Sequence, residues 1–304
     1  MSTLQIGLFG DIRATHNDWI TEVKITRDNQ ALLAYLLLKR HKVHSREVLA
    51  DIFWGEYSPE KARGSLNTAL WKLKKVLEPA GIPAGTYLKI TNRGGVGFNR
   101  ESQYWLDVEV FENAINSTLA FSFESVKETN VADLEKALTL YKGELLEGYY
   151  KDWALRERER LHTLYLKSLI YLLQYYGTQR TYEKAISYGQ KTLELDPLHE
   201  EIHREIMRLY LINGQRPLAL RQYEVCRSTL NKELGISPSE DTQLLYTLIL
   251  EGGHREDSFI ISNEQINLEQ ILRQLREASQ AIDWAKEQIQ QILQLIVNYS
   301  KHKD

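Results

Sequence analysis

Pro59-Glu60-Lys61-Ala62-Arg63-Gly64-Ser65-Leu66-Asn67-Thr68-Ala69-Leu70-Trp71-Lys72-Leu73-Lys74-Lys75-Val76-Leu77-Glu78, followed after a short turn by Tyr87-Leu88-Lys89-Ile90-Thr91-Asn92-Arg93-Gly94-Gly95-Val96-Gly97-Phe98-Asn99, decides how the N-terminal third is read. In the first run Leu66, Ala69, Leu70, Leu73 and Leu77 recur three or four residues apart, one apolar stripe at helical period. A helix is predicted over 60–78, started by Pro59 and stopped by Pro79. Arg63, Asn67, Lys74 and Lys75 turn away from the stripe, with Thr68, Trp71 and Lys72 nearby, a set able to reach phosphates and base edges in a major groove. The second run reads as a strand over 87–91, a turn at Asn92-Arg93-Gly94-Gly95 and a return strand over 96–99, with Arg93 near the tip. A basic helix face can equally be a solvated surface, so charge alone does not name its ligand.

Outward from this pair, the alternation in Leu4 to Phe9 and the β-rich run over 19–25 predict a small antiparallel sheet. Asp28 is a candidate N-cap for a helix reaching about residue 40, and Ser45, with Glu47 behind it, opens a second that closes at Trp54-Gly55. Sheet, three helices and hairpin together make a winged helix-turn-helix whose third helix is the basic one.

A chain of 304 residues predicts at least two domains. No run of about 18 apolar residues occurs, and Met1-Ser2-Thr3-Leu4-Gln5 lacks the pattern of a signal peptide, so a cytoplasmic protein without a membrane partner is expected. The lone Cys226 excludes an internal disulfide and reads as a small buried hydrophobe. The net charge of −3 hides an asymmetry: residues 1–100 hold 15 Lys/Arg against 9 Asp/Glu, and the remainder 23 against 32. A basic segment joined to an acidic one suits a DNA-binding module attached to a protein-interaction module.

A transition helix is predicted over 105–117 and an interdomain connection over 118–129. From Val131 to Glu251 the pattern is helical, and Tyr182-Glu183-Lys184-Ala185 is echoed at Pro217-Leu218-Ala219-Leu220 with the alanines 34 residues apart, the tetratricopeptide period. Glu135-Lys136-Ala137-Leu138 resembles the same unit but lies 48 residues earlier, which implies an insertion. Helix pairs of this kind stack into surfaces that bind peptides or domains. Farther on, Leu268, Ile271, Leu275, Ala278, Ile282, Ala285, Ile289, Ile292, Ile296 and Tyr299 form a heptad seam. Self-association of a homo-oligomer through Leu268, Ile271, Leu275, Ile282, Ile289, Ile292 and Ile296 is expected, with docking onto the repeats as the competing reading. The predicted fold is therefore mainly α with a small N-terminal β component: a winged helix-turn-helix over 1–117, a tetratricopeptide-like domain over 130–252 and an amphipathic helix over 264–300.

Together these residues resemble the bacterial transcriptional activators in which an OmpR-type winged helix precedes a tetratricopeptide-like activator domain, as in pathway-specific regulators of antibiotic synthesis. In the first domain the resemblance rests on Ala31-Leu32-Leu33-Ala34-Tyr35-Leu36-Leu37-Leu38, Ser45-Arg46-Glu47-Val48-Leu49, Phe53-Trp54-Gly55 and Ala62-Arg63 through Lys72-Leu73-Lys74-Lys75. In the second it rests on Asp152-Trp153-Ala154 with Glu157-Arg158-Glu159-Arg160-Leu161, Leu195-Asp196-Pro197-Leu198-His199-Glu200-Glu201, Arg221-Gln222-Tyr223-Glu224 and Glu233-Leu234-Gly235-Ile236-Ser237-Pro238-Ser239. Trp71 and the glycine pattern Gly94-Gly95-Val96-Gly97-Phe98 depart from the family, so its base preference does not carry over. The resemblance implies a sequence-specific activator that binds direct repeats near promoters and contacts RNA polymerase. Double-stranded DNA would meet Arg63, Asn67, Thr68, Trp71, Lys72, Lys74, Lys75 and Arg93.

Two other readings compete. A repeat scaffold whose winged helix contacts only protein would show the same periodicities. His199-Glu200-Glu201-Ile202-His203 fits the zincin pattern, but no third ligand at a recognised spacing follows and the motif opens a repeat helix, so a solvated helix start is the structural reading. Gly94, Gly95 and Gly97 lack the Gly-Lys-Ser/Thr of a phosphate loop and read as turn glycines. His41 and His44 read as exposed loop histidines. Neither an enzyme nor a cofactor is expected.

Overall fold

The computed structural model describes residues 3–16, 26–92, 94–123 and 125–251. The run over 19–25, Arg93 and the heptad segment lie outside these residues. Strand β1 (Leu4–Gly7) pairs antiparallel with β2 (Arg13–His16), so the described partner of the first strand lies earlier than the 19–25 run. Helix α1 (Arg27–Leu38) starts one residue before the expected cap; Thr26 stands at the N-cap and Asp28 lies inside the first turn. Helix α2 (Arg46–Trp54) opens at Ser45, whose hydroxyl accepts from the Val48 N–H at 3.2 Å. Ser58 makes the same kind of cap, at 3.4 Å to the Lys61 N–H, for α3 (Pro59–Leu77). A hairpin of β3 (Leu88–Ile90) and β4 (Val96–Phe98) follows.

Trp105 does not begin a helix. It lies in β5 (Tyr104–Leu106), which joins the other edge of β1 in parallel, giving the order β2-β1-β5. Helix α4 (Asp107–Leu119) begins directly behind it, and Asp107 explains why the strand gives way there. Its carboxylate, 4 % exposed, accepts from the N–H groups of Leu8, Phe9 and Val108 at 2.7–3.0 Å, tying the helix start to the end of β1.

The rest of this compact unit, which runs to Pro238, is helical: α5 (Glu128–Leu138), α6 (Asp152–Thr178), α7 (Tyr182–Leu195), α8 (Glu200–Ile212) and α9 (Arg216–Leu234). Consecutive helices from α6 to α9 pack on one another, and α7 and α9 begin at Tyr182 and Arg216, the 34-residue spacing read from the alanines. Ala185 and Ala219 are fully buried. Gly189 allows α7 to approach α8 closely, since a Cβ there would stand 2.8 Å from Cγ1 of Ile206. A second unit begins at Ser239, and of it α10 (Glu240–Leu250) is described, burying Thr242, Leu245 and Ile249.

One apolar cluster extends from Leu4 through α1 to α3, the hairpin, α4 and α5 into Leu169, Leu172 and Tyr175 of α6. The connection over 118–129 therefore spans a continuous core. At its margin, partly buried, Trp153 of α6 stands edge-on to Tyr35 of α1 at 5.1 Å and packs on Phe53 of α2 at 5.8 Å. Around this wedge, Lys39 bonds Glu157, Arg160 reaches Glu112 at 2.7 Å, and Arg40 reaches Glu109 at 3.2 Å. Arg27 adds a hydrogen bond of 2.6 Å to the Glu147 carbonyl.

Burial pushes the Glu157 carboxyl up, but the bonds from Lys39 and Arg160 outweigh it and hold its pKa below the ordinary 4.5. A carboxylate held low contributes stability that is present above its unfolded value and is lost as pH falls through the folded one. Urea titrations stepped down from neutral pH should therefore show the unfolding midpoint falling below about pH 4.5 in the wild type, and falling less steeply in Glu157→Gln. An identical decline in both proteins would remove this network from the acid sensitivity. Trp153→Ala should lower unfolding stability by about 3 kcal/mol at neutral pH, since a large ring leaves a cavity between α1, α2 and α6.

Candidate nucleic-acid interface

Helix α3 buries Ala62, Leu66, Ala69, Leu70, Leu73 and Leu77 against the core. At 100° per residue this fixes the opposite side of the helix, and there Arg63, Gly64, Asn67, Thr68, Trp71, Lys72 and Lys75 are all exposed, with Lys74 half-buried at the margin. Of the residues expected to contact DNA, the structure thus brings seven onto one helix side, while Arg93 lies outside the described residues. Trp71 is 56 % exposed and carries the Lys75 ammonium 4.0 Å above its ring. The Thr68 hydroxyl donates back to the Gly64 carbonyl at 3.0 Å, which leaves its oxygen as an acceptor. Among the described residues, Lys61, Arg63, Lys72, Lys74 and Lys75 take part in no ion pair. Their charge is directed to solvent.

Sequence reasoning overlooked Arg46. From the first turn of α2 its Nε donates to the Gly94 carbonyl at 3.1 Å and its Nη1 to Oδ1 of Asn67, so one guanidinium ties α2, α3 and the hairpin turn together. The planar fork of donors is what permits both bonds at once. Since the Asn67 oxygen is taken, its NH2 remains as the group open to an outside acceptor. The hairpin is fixed a second time by backbone pairing: His44 and Val96 exchange N–H to carbonyl bonds at 2.8 Å each way.

His44 is accordingly not an exposed loop histidine. Its ring packs 5.1 Å from that of Tyr35, and burial lowers its pKa below the usual 6.5, so it is neutral at neutral pH and adds nothing to the positive face. The zincin-like pair is likewise not a solvated helix start. His203 is 2 % exposed, with Nε2 on the Pro197 carbonyl at 3.0 Å and Nδ1 on Gln222 at 2.7 Å, while His199 engages Asp196 at 3.2 Å. The His203 ring has both nitrogens committed to holding α8 against α9 and the Asp196-Pro197 turn. No group of three or more His, Cys, Asp or Glu side chains suited to a metal ion occurs among the described residues. Cys226 is fully buried, and burial pushes its thiol up to about 12, which keeps it unreactive. No helix of the described residues is long and apolar enough to cross a membrane.

Residues 106–250 match the family described as the Bacterial transcriptional activator domain, and the chain carries that domain. Regulatory protein AfsR of Streptomyces coelicolor is 28 % identical over 253 residues, which make up 82 % of this chain and 24 % of AfsR. Transcriptional regulatory protein MoaR1 of Mycobacterium tuberculosis is 26 % identical over 234 residues, 74 % of this chain and 72 % of MoaR1. The chain thus spans about a quarter of the length of AfsR. Among solved structures, Mycobacterium tuberculosis EmbR in complex with a low-affinity phosphopeptide superposes with a TM-score of 0.64 at 21 % identity, covering 83 % of this chain and 66 % of EmbR. The fold, mainly helical with small N-terminal strands, is that of EmbR. The curated relatives are transcriptional regulators, and regulation of transcription is the class of function they support.

Arg46→Met keeps the length of the stem and removes both bonds. It should destabilise the protein by about 1 kcal/mol, the bonds being partly exposed, and should speed amide hydrogen exchange in the hairpin more than in α3. Unchanged exchange at Gly95 and Val96 would show that backbone pairing alone holds the hairpin.

Proposed function

We propose that the chain is a sequence-specific DNA-binding transcriptional regulator, an activator that binds promoter-proximal repeats and contacts RNA polymerase. In this reading residues 1–117 are a winged helix-turn-helix, α3 enters the major groove, and the β3–β4 hairpin with Arg93 lies along the flanking minor groove or backbone. The observation that carries it is the outward face of α3: five cations without ion-pair partners among the described residues, alternating with Asn67, Thr68 and Trp71 and set beside a hairpin that Arg46 ties to the same helix. Phosphate contacts fall to Arg63, Lys72, Lys74, Lys75 and Arg93, and base-edge contacts to Asn67 and Thr68. The tetratricopeptide-like helices over 130–252 govern assembly and polymerase contact, and the heptad segment over 264–300 pairs copies of the chain on adjacent repeats.

Selection of bound fragments from genomic DNA tests the reading. Recovery of a discrete motif supports it, and uniform weak recovery supports a scaffold that binds only protein. On a selected duplex, Lys74→Ala with Lys75→Ala should weaken binding and reduce the log–log salt slope by up to about two units. An undiminished slope would move those two lysines off the phosphates.

A further inference from the structure

A shallow groove of about 490 Å³ lies between the first turn of α1 and the start of α3, with Asn29 on one wall and Lys61, Gly64, Thr68 and Lys72 on the other. Three of its features find no use among the described residues. Asn29 is 4 % exposed as a residue and its side chain makes no hydrogen bond among the described residues, yet its amide atoms are not sealed from solvent, so what exposure it keeps lies at the groove. Gly64 sits inside α3, where glycine is less favourable than alanine, and a Cβ built on it would meet nothing within 4 Å, so no neighbour among the described residues requires the space. The N-cap residue Thr26 makes no side-chain cap bond to α1, a helix of 12 residues whose positive end borders the groove. Two lysines, Lys61 and Lys72, and one carboxylate residue, Asp28, line this space, and the Lys61 ammonium lies 4.3 Å from the centre of the Tyr57 ring.

We propose that this groove is an anion site that seats one backbone phosphate of bound duplex DNA beside α3. The inference rests on the DNA-binding reading above and adds to it a place on α1. The Asn29 amide and the first-turn N–H groups of α1 donate to the phosphate oxygens, and Lys61 and Lys72 supply the opposing charge. The bare backbone at Gly64 lets the sugar–phosphate chain lie against the helix. Asp28 repels the same phosphate and limits how tightly it is held.

The test uses the full chain and a duplex recovered from genomic selection. Gly64→Ala should raise the thermal midpoint by a few degrees, about what restoring helix propensity gives, and yet weaken duplex binding about tenfold. Asn29→Asp should weaken binding by a similar factor, and Asp28→Asn should tighten it about threefold at low salt. A set of duplexes with single methylphosphonates should contain one position at which Lys61→Ala causes no further loss. Because Gly64→Ala stabilises the fold, its loss of binding cannot come from unfolding. If the wild type binds the duplex and Gly64→Ala and Asn29→Asp bind it equally well, the groove is not a phosphate seat and the DNA-binding reading stands. Inorganic phosphate that shifts the Asp28 and Asn29 amide resonances, with duplex affinity unchanged in the variants, would assign the groove to a small free anion and overturn the proposal. A wild type that retains no duplex would overturn both readings.

Discussion

The packing of Trp153 of α6 on Tyr35 and Phe53, which also meet each other edge-on at 5.7 Å, is the contact on which the arrangement of the first 238 residues depends. Helix α1 is apolar nearly all round, with Ala31, Leu32, Leu33, Ala34, Leu36, Leu37 and Leu38 all buried. Such a helix needs cover on every side. Helix α3 and the hairpin cover part of it, and the start of α6 supplies the rest. A small sheet-and-three-helix module without α6 would expose Tyr35 and Phe53 to water, so the module and the helices behind it fold as neighbours in one core rather than as beads on a linker.

Polar contacts then decide the orientation of that joint. Apolar packing is non-directional, whereas the Lys39–Glu157 and Arg160–Glu112 bonds close only in one register of α6 against the end of α1 and α4, which Arg40–Glu109 ties to each other. The carboxylates come from the acidic part of the chain and Lys39 and Arg40 from the basic part. The charge asymmetry between the two parts is thus partly consumed inside the molecule. Among the described residues five of the cations left without an ion pair lie on α3, the largest group on one element, with Arg13, Lys42, Lys89 and Arg100 elsewhere in the N-terminal segment.

How far the sequence could be read follows from the range of the interactions. Helix α3 was expected over 60–78 and found at Pro59–Leu77, because a cap, a first-turn proline and a five-residue apolar stripe are all local. The repeat spacing was legible for the same reason: Ala185 and Ala219 mark equivalent close approaches. Strand β5 was not legible, since three residues running straight into a helix carry no period, and its pairing is with β1, about a hundred residues away. Asp107 and Arg46 escaped for a related reason. Their partners lie 99 and 48 positions distant, and a lone acidic or basic residue at a helix start has many local uses. The burial of His203 is not legible for the same reason: it lies in the polar-looking first turn of α8, and nothing local signals that Gln222, 19 positions on, closes over it.

The face of α3 illustrates where local rules fail for a physical reason. Judged as a helix alone, it contains avoidable weaknesses: a glycine in its interior, a tryptophan 56 % exposed, and a cluster of cations that repel one another. None is repaid among the described residues, since a Cβ at Gly64 would touch nothing there and the Lys75 ammonium rests on Trp71 in place of a carboxylate. Meanwhile the supporting structure is over-determined, with Arg46, the His44–Val96 pairing and the Ser58 cap holding the helix and hairpin in one setting. A rigid frame that presents locally unfavourable side chains is what a surface needs if an external polyanion supplies the missing interactions, because the frame removes the entropy of ordering before the partner arrives.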